Sequence, residues 1–139
     1  MDLLSILNDS AKSKQEKIDS IGITRDLLDY GDLNVEEAVK IMDMLVKYVV
    51  VQEDNDIREA MLNAILEGEN SHDIGKELDL SPIVSHLSVF NDECISYILT
   101  MMGYSGKEEY RGIMESFKHN PRLEDDVAEA LLELNHAQK

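Results

Sequence analysis

The 139-residue sequence predicts an all-α fold on three observations. Apolar residues recur with helical spacing: Val35, Ala38, Val39, Met42, Leu45, Val46 and Val49 follow the i, i+3, i+4, i+7 pattern of a helix with one buried face. Two prolines and seven glycines leave little punctuation, most of it between helix-like segments. One acidic-then-apolar pattern also opens three segments in turn: Asp56-Ile57-Arg58, Glu93-Cys94-Ile95 and Asp126-Val127-Ala128. Successive openings lie 37 and 33 residues apart, a period typical of stacked helical repeats.

In chain order, residues 2–17, with Leu3, Leu4 and Leu7, are expected to cap a first helical pair at 18–30 and 35–51. Asn34 and Glu37 have N-cap spacing. Ile41, Met44, Tyr48 and Val51 widen the buried stripe, so this helix should meet neighbours on more than one side. A strand from Val46 to Val51 is the alternative there, but no hairpin partner follows. Segment 56–67 turns Ile57, Ala60, Met61, Ala64 and Ile65 inward. A second helix is expected over 72–88, broken near Leu80, with Ser81-Pro82 as a cap followed by proline at the first helical position. Asn91-Asp92 opens a helix to about Met102, closed by Gly103; Ser105 and Glu108 suggest a capping box before 107–119; Asn120-Pro121 opens the last helix. The expected core includes Val39, Met42, Leu45, Val46, Met61, Ile65, Ile98, Leu99, Val127 and Leu131. All of this suits a single domain over 1–139.

The repeated openings, with Ala60 and Ala130 at the small position, resemble a short HEAT-like α-solenoid of about three and a half helical pairs over roughly 18–135. Only Arg58 supplies the arginine that such repeats favour, Tyr97 stands where a small residue is usual, and the proline of the first helix is absent. An irregular helix bundle is the other architecture compatible with the pattern.

Thirteen Lys and Arg against 29 Asp and Glu leave a net charge of −16. That balance argues against direct nucleic-acid binding, where cations neutralise phosphate, and against an anionic membrane surface. An apolar content of 43% is ordinary for a globular chain rather than a disordered acidic tail. A lone cysteine, Cys94, cannot form an internal disulfide, and Met1-Asp2-Leu3-Leu4 lacks the basic, apolar start of a secretory signal. Both point to a cytoplasmic protein, monomeric when free.

Chemistry-bearing patterns are sparse. His72, His86, His119 and His136 lack ligand spacing, and His86, among Ile83, Val84, Leu87 and Val89, reads as a core or boundary residue. Glu53-Asp54-Asn55-Asp56 lacks the glycine and final glutamate of a calcium loop. Ser105-Gly106-Lys107 lacks the glycine spacing of a phosphate loop, and Cys94 has no basic neighbour to activate it. The expectation is therefore a non-enzyme with no metal and no cofactor.

Acidity is concentrated. Between Asp26 and Asp79 there are fifteen acids and four bases, a net of −11, whereas residues 104–139 carry eight acids and five bases. Glu36–Lys40 and Asp43–Lys47 are i, i+4 pairs that should neutralise each other, and Glu124, Asp125 and Asp126 suit a first helical turn. On stacked helical pairs, the remaining acids fall on connections near 29–34, 67–73 and 103–107. Asp26, Asp29, Tyr30, Asp32, Glu67, Glu69, Asp73, Glu77 and Tyr104 are thus the candidate partner-binding residues, with charge to steer encounter and tyrosine to supply rigid contact area.

Size, acidity and HEAT-like repetition together resemble the immunity proteins of bacterial polymorphic toxin systems, including contact-dependent growth inhibition. The resemblance implies an inhibitor that binds one cognate toxin domain, often a nuclease, and covers its basic cleft with carboxylates in place of substrate phosphates. A HEAT-like scaffold or adaptor is the alternative, and a DNA-mimicking inhibitor a third.

Overall fold

The computed structural model describes residues 2–72 and 74–139, and all regular structure among them is helical. In order come α1 (Leu3–Leu7), α2 (Lys14–Tyr30), α3 (Val35–Val49), α4 (Asn55–His72), α5 (Ser81–Val84), α6 (Asp92–Ser105), α7 (Arg111–Glu115) and α8 (Glu124–Ala137). Single 3₁₀ turns occupy Leu87–Val89 and Glu108–Tyr110. No described helix is long and apolar enough to cross a membrane.

Helices α2, α3, α4 and α6 start where side chains satisfy the free amides of a first turn, whereas α8 has no side-chain cap. Ser13 and Glu16 form a reciprocal capping box on α2, while Asn34 and Asn91 accept from the amides of Glu37 and Cys94. Asp54 accepts from the amides of Asp56 and Ile57 and faces Lys14, so the acidic run that mimics a calcium loop serves as a helix cap and ion-pair partner.

Packing joins α2 to α4, α4 to α6 and α6 to α8, with α3 lying on α4 and α5. Lys14 of α2 pairs with Asp54 and Asp56 at the start of α4. Arg58, in the first turn of α4, donates to the Val89 carbonyl beside the start of α6 at 2.8 Å, with its guanidinium 5.8 Å from the Phe90 ring centre. Asn120, ahead of α8, donates to Asp92 at the start of α6 at 3.2 Å. At the other end, His72 of α4 meets the Leu28 carbonyl of α2 at 2.7 Å, and Gln138 behind α8 meets the Gly106 carbonyl behind α6 at 3.4 Å. Starts meet starts and ends meet ends, so α2, α4, α6 and α8 run parallel in one row.

One apolar core runs through that row. Leu28, Met42, Leu45, Met61, Leu62, Ile65, Ile98, Leu99, Leu123, Val127 and Leu134 are buried. Val39 and Leu131, expected inside, are half-buried and pack against the core; Val35 and Val51, at the two ends of the stripe, are exposed. Gly103 lies inside α6, where a Cβ would stand 2.8 Å from the Ala130 carbonyl oxygen, so its job is the close approach of α6 to α8. The helix is closed instead by Gly106 at φ 68°, a left-handed conformation that suits glycine.

The sequence expectations fail mainly where helices are short. Residues 72–88 are not one helix: α4 reaches His72, coil and turn cover 74–80, and α5 is a single turn. Ser81 and Pro82 are its first two residues, the N-cap position falls on Leu80 without a side-chain cap, and Asp79 accepts from the Ser81 amide at 3.0 Å in the turn before the helix. Segment 107–119 holds only a 3₁₀ turn and the five-residue α7, and Ser105 closes no box but donates to the Met102 carbonyl. Asn120-Pro121 forms a turn before α8, with Asn120 accepting from the Arg122 amide. Val46 to Val49 are helical rather than a strand. Residues 14–17 belong to α2, leaving α1 as the cap on the first pair. His86 is exposed and held to the Pro82 carbonyl, since a helix of one turn is too short to bury it. Glu36–Lys40 and Asp43–Lys47 form no ion pair within 4 Å among the described residues.

Candidate functional site

Because α2, α4, α6 and α8 are parallel, their last turns gather at one end. The backbone carbonyls there have lost their i+4 donors and carry the negative pole of each helix. The last turns of α2 and α6 hold no basic residue, and those of α4 and α8 hold only His72 and His136. Carboxylates therefore add to the helix poles rather than offset them.

Tyr30 and Asp32 are exposed at the end of α2, and Asp29 is half-buried, accepting from the Ser71 hydroxyl of α4 at 2.7 Å. His72 Nε2 carries a proton in that contact, because the Leu28 carbonyl opposite it can only accept. Asp26 is exposed one turn earlier on α2, 3.5 Å from its neighbour Arg25, and lines a separate groove against Ala60 and Asn63 of α4. Glu67 is half-buried on α4 and Glu77 exposed in the following turn. Asp73 lies outside the described residues.

Glu69 departs most from expectation. Helix α4 extends five residues past Glu67, so Glu69 is no loop acid but a helical residue only 2% exposed. Neither of its carboxyl oxygens has a hydrogen-bond partner among the described residues. Burial pushes its pKa up to about 9, with no cation close enough to hold it down. The stripe Ile57, Met61 and Ile65 continues by four to position 69, so the signal for burial was present in the spacing.

Glu69 forms part of the wall of a pocket of about 430 Å³ that also brings together Glu77, Tyr104 and Lys76, joined from α8 by Glu133 and His136. Gly75 closes one side, where a Cβ would stand 2.6 Å from the Tyr104 carbonyl oxygen and 3.0 Å from Glu69 Oε2. Tyr104 is half-buried, and its hydroxyl pKa is raised by burial first and then by Glu133, Glu69 and Glu67. Sequence reasoning missed Glu133 and His136 because they lie within α8, outside the connections between paired helices where acids were sought.

Of the nine candidates, Glu69, Glu77 and Tyr104 share the pocket, while Asp29, Tyr30, Asp32 and Glu67 lie at the same end of the row. Among the described residues, no three His, Cys, Asp or Glu side chains form a metal-holding group. Cys94 is buried, its thiol pushed up to about 11 chiefly by burial. No known protein family, curated protein or solved structure matches this chain.

Proposed function

We propose that this chain is an immunity protein that binds and neutralises a cognate toxin domain, a nuclease whose basic cleft it covers. The observation that supports the reading is the shared end of four parallel helices, where unpaired carboxylates and helix C-termini reinforce one another. Such a surface favours a cationic partner and speeds its encounter. The HEAT-like solenoid is the architecture we propose for it, supported by the row of long parallel helices. Co-expression with the product of the immediately upstream gene tests the function. A stoichiometric complex and restored growth are expected; a harmless upstream product, or growth arrest unrelieved by this chain, contradicts it.

One feature favours a scaffold as the second reading. Ile23, Leu27 and Tyr30 form an exposed stripe on the outward side of α2, at 71%, 44% and 85% exposure. An exposed apolar stripe bordered by acids suits contact with another protein. Sedimentation equilibrium separates the two: a dimer abolished by Tyr30→Asp supports the scaffold, and a monomer supports the inhibitor.

A further inference from the structure

We propose that the pocket beside Glu69 is a receptor for one donor-rich cation, the guanidinium or ammonium group of a basic side chain. The inference rests on the reading of the chain as a binder of basic proteins and narrows that reading to a single anchor. Neither carboxyl oxygen of Glu69 has a hydrogen-bond partner among the described residues, and its Oε2 borders Gly75 together with the Tyr104 carbonyl oxygen, which lies in the last turn of α6 where helix carbonyls lack i+4 partners. Once ionised, that carboxyl offers acceptors alone, and with the Tyr104 carbonyl it suits a ligand that supplies only donors, as guanidinium and ammonium groups do. A volume of about 430 Å³ falls in the range of small-ligand sites. A buried carboxyl left without a partner is costly to the fold, and a bound donor would remove that cost.

Occupation would change the charge of the site. Free, Glu69 is held neutral at pH 7 by burial. A cation against it stabilises the carboxylate, so the Glu69 proton passes to the buffer as the ligand enters. Among the described residues, the charged and titratable groups around it are Glu67 on its own helix, Tyr104 on α6, Tyr110 in the adjoining 3₁₀ turn, Lys76 and Glu77 in the connection after α4, and Glu133 and His136 on α8. Burial is the cause of its raised pKa among the described residues. Lys76 is the internal competitor: it stands at the rim, exposed, and makes no ion pair with Glu69 within 4 Å.

Propylguanidinium and butylammonium are suitable probes, titrated calorimetrically into the full chain at constant ionic strength in two buffers of different ionisation enthalpy. We expect saturable one-to-one binding, release of about one proton per cation at pH 7, and affinity that rises about tenfold per pH unit towards pH 9. Neutral propylurea should not bind, and Glu69→Gln should abolish both binding and proton release. The unaltered chain gives a check independent of any variant: the Glu69 carboxyl-carbon resonance should move from the protonated to the ionised position as the probe is added. Absence of saturable binding, undiminished binding to Glu69→Gln, or an ordinary carboxylate titration of Glu69 in the free chain (Lys76 then already pairing with it) would each overturn the receptor. Probe binding without capture of the upstream gene product retires the toxin reading alone, and capture without probe binding retires the receptor alone.

Discussion

Glu69 links stability to pH in a direction opposite to that of a salt-bridged acid. Its pKa is about 9 in the folded chain and that of an ordinary exposed glutamate when unfolded. Below the unfolded value both states are protonated and the group imposes no ionisation penalty. Between the two values the folded state holds the extra proton, so stability falls as pH rises, by roughly 1.4 kcal/mol per unit, and levels off above the folded value. Glu69→Gln should flatten this part of the curve, gaining on the parent in urea melts at pH 8.5 relative to pH 5; parallel curves would contradict a neutral buried acid. Core truncations should divide in the same residue-by-residue way. Leu134 is fully buried, so Leu134→Ala should cost ~2–5 kcal/mol, whereas the half-buried Leu131 should cost less than half as much; equal losses would place α8 in a different rotation. Charge counting alone set Glu69 beside its exposed neighbours, although the i+4 spacing from Ile65 already put it on the inner face.

Among elements, the long helices were legible because their signals are redundant: a broad apolar stripe and an asparagine cap agree at α3, and the cap agrees with the apolar run at α6. Asn91→Ala removes the acceptor for the Cys94 amide and should cost about 1 kcal/mol, read as a lower melting temperature with all-helical circular dichroism kept. An unchanged melting temperature would mean that the α6 start is held by packing alone. The short elements were less legible for a physical reason. Serine, asparagine and proline favour turns by the same side-chain bonds and fixed φ that favour helix starts, so Ser81-Pro82 and Asn120-Pro121 do not declare which of the two they open. Gly103 and Gly106 show the same ambiguity: one permits helix contact and the other ends the helix, and only the packing of α8 against α6 assigns the roles.

For the molecule as a whole, parallel stacking gathers residues far apart in sequence, Asp29, Glu67, Glu77, Tyr104 and Glu133 among them, at one end. The acid-rich stretch and both tyrosines were legible in the sequence, but the end of α8 was not, since its place depends on the whole row. The two tyrosines also differ more than the sequence suggests. Tyr30→Ala should act only on a bound partner, because the side chain is exposed, while Tyr104→Ala should also lower stability. The opposite end supplies an internal control, because Glu124, Asp125 and Asp126 stand in the first turn of α8. The most direct measurement is the stopped-flow association rate with the upstream gene product as a function of salt. It is compared between the parent, Asp29→Asn/Asp32→Asn/Glu67→Gln/Glu77→Gln, and Glu124→Gln/Asp125→Asn/Asp126→Asn. Marked slowing of the first variant is expected at low salt, with a gap that closes once screening shortens to ~3 Å near 1 M, and little change in the second. Equal slowing in both variants, or none in the first, would contradict capture at the shared end of the four helices.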